Sequence, residues 1–538
     1  MHLCDLPDDV LRLILQRACA CHQPAMMHAP LRDRLPLLAV CRRLRALARA
    51  VVYSAVDIQL GDDGDGLTVL RPRDKARCVR LKADLDAVAA AGCLDMVRHV
   101  DVGVFHLINP IPGLRAVAGA MCAAAGQWAS VRSLAIHTHR CQRLDNEEQM
   151  DAEDLDDDIP GISAALAAVL PGLQRLVAAW PRTNAITSEV VGALAARYAD
   201  QLRVLRSDYT AVTPPGVALR RLESVYIPRP GSGDDPSPRV DPAELRVLQL
   251  HGWPENHSWA AFSADGDGSK EIRFPRLQVL DLIRYKGATA SGSDNSGRAG
   301  SLHFPELRTL AVKCLYDVPA LLVRGVFPAR MDRLSIETTS SALLNISSTA
   351  LPSARRIHIT LQHGGRSWCF AMVAAVRGIL DAARDCDELE LTAFCGGLFL
   401  RPGTLASAPL TRLSVMVEVH ADIMVALVQS LPRLSSLVIR RLMGNGAWLD
   451  TLIPEPGAAH LMPPVTSTLG TVHLGASPSA RAPEAVVSAA KYLLLAAPSL
   501  SYLSTIGAAR LPIEAFVGER ASQYPHLAKA RFSYLLRP

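Results

Sequence analysis

The sequence predicts an α/β chain: a small helical module at the N-terminus, followed by a curved solenoid that carries a parallel sheet. Three observations predict it. Apolar residues recur at helical spacing over the first 58 residues, and from residue 94 one apolar phrase, hydrophobic-x-x-hydrophobic-x-hydrophobic, returns again and again. The third is composition: 49% of the 538 residues are hydrophobic and only 20% are charged, which suits a chain that buries a large core. Length alone suggests about three or four domains, but repeats can build one longer body. The expected organisation is a module over 1–58, a connecting segment over 59–93 and the repeating region over 94–538.

In the module, Leu6-Pro7-Asp8-Asp9 opens a first helix, with Pro7 suited to a first turn and two aspartates at the positive end of the helix dipole. Val10, Leu11, Ile14 and Leu15 follow at helical spacing. Two prolines and several small residues between Cys19 and Pro30 end this helix in a loop. A second helical pattern begins after Pro36, where Leu37, Leu38, Val40, Cys41, Leu44 and Leu47 line one side while Arg42, Arg43, Arg45 and Arg49 fall largely on others.

Those two blocks, Leu6 to Leu15 and Leu37 to Ala48, resemble the F-box family, in which a Leu-Pro start opens a helix and a Val-Cys-basic stretch continues the module. The resemblance covers residues 3–58. It implies docking onto the small adaptor subunit of a cullin-type ubiquitin ligase, through Leu6, Pro7, Leu11, Ile14, Leu15, Leu38, Val40, Cys41, Leu44 and Leu47. The remainder of the chain would then select an unidentified target protein. Apolar surface that a small module cannot bury internally would drive such docking. The alternative is that the same leucines cap the following domain, leaving a non-catalytic scaffold for protein–protein interaction without ligase association.

The repeated phrase is complete at twelve places, among them Val97-Val100-Val102, Leu245-Leu248-Leu250, Leu277-Leu280-Leu282, Leu307-Leu310-Val312 and Leu469-Val472-Leu474, and shortened at Leu173, Leu202 and Leu500. Its last two positions alternate as in a strand. The middle residues recur at intervals of 20 to 42, many of them close to the period of leucine-rich repeats, which this region resembles in a degenerate form. Lead-ins such as Phe274-Pro275 and Phe304-Pro305 place a proline just before a strand, where no inner ladder bond is lost. Helical returns are expected at 161–170, 187–198, 371–383, 421–430 and 485–497. Insertions are expected at 145–160, 228–242, 261–272 and 287–301.

Alternate strand side chains point to opposite faces, so the residue between the last two apolar positions of each phrase should line the concave face. Gln249, Asp281, Ser335, His358, Glu390, Ser414 and His473 are the candidates for binding a partner there. They mix polar types without one sign of charge, which favours a protein surface over a polyanion.

Lys and Arg total 57 against 52 Asp and Glu, a net charge of +5, so the balance implies no nucleic-acid partner. No window reads as a membrane span. The opening residues lack a secretory pattern and the 12 cysteines form no framework, so an intracellular, reducing setting in cytoplasm or nucleus is expected. No zincin, Walker, dinucleotide-binding or nucleophile-elbow motif occurs, and no cofactor or catalysis is expected. The clusters Cys19, Cys21, His22 and His137, His139, Cys141 lack the fourth ligand of a structural zinc site. The nine carboxylates between Asp145 and Asp158 lack the glycine-centred calcium loop.

Overall fold

The computed structural model describes residues 6–19, 34–39, 42–61, 87–106, 111–126, 128–140, 159–179, 185–207, 217–227, 239–251, 259, 262, 271–285, 301–314, 325–339, 352–362, 386–393, 409–444, 446–455, 468–476 and 482–535. Most of the four insertions lie outside these residues, as do the helix expected at 371–383 and the site candidates Val40 and Cys41. The chain forms two compact units, one of residues 1–251 with 259–268 and one of residues 252–258 with 269–538.

The first unit opens with α1 (Asp8–Cys19), a 3-10 turn (Leu35–Ala39) and α2 (Arg42–Val52). Then come β1 (Ala55–Gly61), β2 (His99–His106), α3 (Ile111–Ala125), β3 (Ser133–Arg140), α4 (Ile159–Val169), β4 (Arg175–Ala179) and α5 (Ala185–Arg197). It closes with β5 (Val204–Ser207), β6 (Ala218–Leu219), β7 (Ser224–Ile227), β8 (Arg239–Val240) and β9 (Val247–His251). Strands β1, β2, β3, β4, β5, β7 and β9 pair in that order, each parallel to the next, while β6 and β8 make a small parallel pair.

The ladder starts at Ala55, so β1 straddles residue 58 and runs into the expected connecting segment. One in-register row runs Val56, Val100, Leu134, Leu176, Leu205, Val225, Leu248, and none of these side chains is more than 2% exposed. Each contributes about 1.5–3 kcal/mol on leaving water, so a one-residue slip that turned the row outward would be heavily penalised. Helices α3 and α5 pack on the strands, with α4 between them. Gly113 lets α3 lie close to β2, because a Cβ there would stand 2.4 Å from the Val104 side chain.

The second unit holds β10 (Ile272–Arg273), β11 (Val279–Tyr285), β12 (Leu302–His303), β13 (Thr309–Cys314), β14 (Gly325–Val326), β15 (Met331–Thr339), β16 (Ala354–Gln362) and β17 (Glu388–Ala393). After them come β18 (Arg412–His420), α6 (Ala421–Ser430), β19 (Ser436–Met443), α7 (Ala447–Thr451), β20 (Thr471–Ala476), α8 (Ala482–Ala496), β21 (Tyr502–Ile506), α9 (Arg510–Arg520) and β22 (Arg531–Leu535). Strands β11, β13 and β15 through β22 again pair parallel in chain order. The middle residues of the phrase form one buried row: Leu280, Leu310, Leu334, Ile357, Leu389, Leu413, Leu437, Val472, Leu503. The helical returns at 161–170, 187–198, 421–430 and 485–497 correspond to α4, α5, α6 and α8 within a few residues.

The Phe-Pro lead-ins form a second layer. Strands β10, β12 and β14 make a three-stranded parallel sheet, and the rings of Phe274, Phe304 and Phe327 stack behind it with centroids 5.2 and 5.6 Å apart. Phe274 and Phe304 are fully buried. Their amides donate to the carbonyls of His303 and Val326, at 2.9 Å each, so each lead-in is tied to the next.

Candidate functional site

Two surfaces could carry function, and the first is the module. The structure turns Leu11 and Leu15 inward, at 1% and 5% exposure, so these two hold α1 against α2 and do not face outward. The outer face of α1 carries Val10, Leu13 and Ile14, at 38%, 59% and 40%, beside exposed Pro7, and the 3-10 turn adds Leu35 at 37%. Leu6, Leu38 and Leu47 are half-buried, and Leu44 falls on α2. Of the outward residues only Pro7 and Ile14 were expected at a docking face; Val10, Leu13 and Leu35 were not. Arg43 fixes the start of α1, donating through Nε and Nη2 to Asp8 Oδ1 at 3.2 and 2.5 Å and through Nη2 to the Leu6 carbonyl at 3.1 Å. On the opposite side, Arg49 reaches Cys93 Sγ at 3.3 Å and the Ala91 carbonyl at 3.4 Å. Cys93 holds the Arg49 guanidinium above its usual pKa, first through this hydrogen bond and then by charge.

The second surface is the half-exposed side of the second unit's sheet. Asp281, Ala311, Ser335, His358, Glu390, Ser414, Val438 and His473 stand in register on consecutive strands, so six of the seven partner-binding candidates share one row. Gln249 belongs to the first unit, where it is in register with Tyr226. There Tyr226 Oη lies 2.8 Å from His251 Nδ1, and the Arg206 guanidinium sits 5.7 Å from the Tyr226 ring centre.

A neighbouring row two residues earlier on each strand was not anticipated. It runs Arg333, Arg356, Glu388, Arg412, Ser436, and with His358, Glu390 and Ser414 it lines a shallow cavity of about 330 Å³. Both Glu388 oxygens are engaged: Arg356 Nε approaches Oε2 at 3.0 Å and Arg412 Nη1 approaches Oε1 at 3.1 Å. His358 is held between Ser335 Oγ, at 3.4 Å from Nδ1, and Thr360 Oγ1, at 3.0 Å from Nε2, with Glu390 Oε1 3.9 Å from Nε2. At the strand entries Asp387 takes Arg355 at 2.8 Å and Arg330 at 3.7 Å. These ion pairs are largely solvated and add little stability; they set side-chain direction.

Among the described residues no group of three or more metal-ligating side chains comes together, and no helix is long and apolar enough to cross a membrane. Cys21, His22 and Cys141 of the two clusters weighed from sequence lie outside the described residues. Burial pushes the Cys386 thiol up to about 12, away from the thiolate a nucleophile requires. At pH 8 iodoacetamide should therefore modify exposed Cys122 and spare Cys386 in the folded protein, as peptide mass mapping would read; equal labelling of the two would refute the packing around Cys386. No family model matches the chain, and a search of curated proteins finds no match.

Proposed function

We propose that this protein is a two-ended recognition adaptor: its N-terminal module docks onto the small adaptor subunit of a cullin-type ubiquitin ligase, and its repeating body, a degenerate leucine-rich-repeat solenoid, holds a target protein. The mechanism is proximity. Binding one protein at each end raises their effective concentration without chemistry in this chain. The observation that carries the reading is the outward row Val10, Leu13 and Ile14 with Pro7 and Leu35, on a segment that resembles the opening of an F-box. Chain-order parallel strands with one buried row in each unit support the solenoid, and the half-exposed polar row supports a protein target.

Full-length protein carrying Leu13→Asp and Ile14→Asp should lose about tenfold or more in capture of the purified adaptor subunit, because two anchors in one apolar patch each contribute more than about 1 kcal/mol. Both residues are outward, so the melting temperature should stay within about 2 °C of wild type, as for surface substitutions generally. Unchanged capture would overturn the ligase reading.

A second reading keeps the scaffold and drops the ligase. It is favoured by the contacts of Arg34 with the carbonyls of Val52 and Ala55, at the end of α2 and the start of β1, and of Arg49 with Ala91 and Cys93 ahead of β2, as a cap on the first strands would make. Absence of the adaptor from pull-downs of both wild type and variant would support it.

A further inference from the structure

We infer that the row Arg333, Arg356 and Arg412 is a carboxylate-recognising track, and that the target segment it takes is an extended, acidic stretch of protein. The inference rests on the reading of this face as the target-binding one, and it adds the chemistry of the target. Arg333, Arg356 and Arg412 stand on β15, β16 and β18, with Glu388 on β17 between the last two. Adjacent strands are about 4.8 Å apart, so three guanidiniums and one carboxylate lie within roughly 15 Å across the strands.

Glu388 is the low member of this row, 24% exposed and with both oxygens occupied, while the Arg356 and Arg412 side chains rise past it at 55% and 64%. Each of the two meets Glu388 through a single nitrogen. A guanidinium carries five N–H donors in a planar fork, so each keeps donors available for a second carboxylate. Arg333 is exposed and has no carboxylate partner among the described residues. Glu388 therefore acts as a positioning residue that aims two arginines and at the same time competes for them.

Glu390 stands one row further along, 42% exposed, and repels an acidic group from the His358 side, which confines it to the arginine row. An extended segment crossing the strands presents side chains to the sheet about every 7 Å, so acidic residues two apart lie within reach of neighbouring arginines and residues four apart, about 14 Å, match the span from Arg333 to Arg412.

The test uses full-length protein and a fluorescein-labelled peptide of alternating Glu and Ala, beside the same peptide with Gln for every Glu. The Glu peptide should bind about tenfold or more tightly at low salt, with the difference shrinking as the ionic strength rises. Arg333→Ala and Arg412→Ala should each remove most of that difference, and Arg→Lys at either position should restore only part, because the fork is lost. Glu388→Gln should strengthen binding about threefold or more by releasing two arginines from their internal partner. Arg510→Ala, whose partner is Glu514 on α9, is the control and should change nothing. Equal binding of the two peptides, no binding of either, or preference for a single-stranded RNA that survives Arg333→Ala would each overturn the proposal. Adaptor capture in the Leu13→Asp, Ile14→Asp protein reads the other end of the chain, so the two proposals fail separately.

Discussion

Phe304→Ala is expected to cost the second unit about 3–5 kcal/mol, the range for removing a fully buried aromatic ring. Phe304 stacks on Phe274 on one side and Phe327 on the other, and it is completely enclosed. Truncation leaves a ring-sized gap between two rings whose backbones are tied by the Phe274 and Phe304 amide bonds, so the neighbours cannot collapse into it without breaking those bonds. The loss should appear as a lower midpoint for unfolding of the second unit, by roughly 5–10 °C. Amide exchange should accelerate first at Phe274 and Phe304. Phe304→Leu should recover about half of the loss, since it restores apolar volume without the stacking. A change within about 0.5 kcal/mol, typical of surface positions, would show that the three rings do not form a spine.

The same packing explains how much of the fold could be read from residues alone. The apolar phrase gave the correct register across both units because its middle and last positions turn to one face, and a one-residue error would expose every leucine in the row. Two rungs escaped that reading for different reasons. Tyr53-x-x-Val56-x-Ile58 is a full copy of the phrase, and Val56 pairs with Val100, but Tyr53 directly follows the helical run ending at Val52 and reads as part of it. At the other end, Phe532 pairs with Leu503, yet Lys529 occupies the first position of its phrase and Leu527 supplies the buried side chain instead. The polar row from Asp281 to His473 was legible from alternation. The arginine row obeys the same alternation, since Arg412 and Ser414 are two apart on one strand, but the second x of the phrase sits at the strand entry, where alternation alone does not say that the strand has begun. In α1 the apolar residues Val10, Leu11, Leu13, Ile14 and Leu15 spread over a little more than half of the helix circumference, wider than one packing stripe, so spacing alone does not choose which of them turn inward. Packing against α2 chooses Leu11 and Leu15, and that choice leaves Val10, Leu13 and Ile14 on the outer face.

Arg34→Ala is expected to unfold the module locally while leaving the second unit intact. Arg34 is only 2% exposed, and its Nη1 and Nη2 donate to the carbonyls of Val52 and Ala55 at 2.6 and 2.8 Å. Val52 is the last residue of α2, where carbonyls have no partner within the helix and a cation is favoured by the helix dipole. Ala55 begins β1, so one guanidinium joins the end of the module to the first strand of the ladder. Hydrogen bonds from a charged donor contribute about 1.5–3 kcal/mol each, and truncation also leaves both carbonyls buried; the loss should reach about 3 kcal/mol or more. Hydrogen exchange should then quicken over residues 42–55, with rates across β11–β22 unchanged. Arg34→Lys keeps the charge but cannot span two carbonyls in a fixed plane, and it should fall between wild type and Arg34→Ala. If the module docks as proposed, capture of the adaptor subunit should fall together with the exchange protection, because Arg34 holds the module that carries the outward row on α1. Protection over 42–55 that survives Arg34→Ala would mean that the burial of side chains such as Ala48 and Val52 holds the module together without the guanidinium.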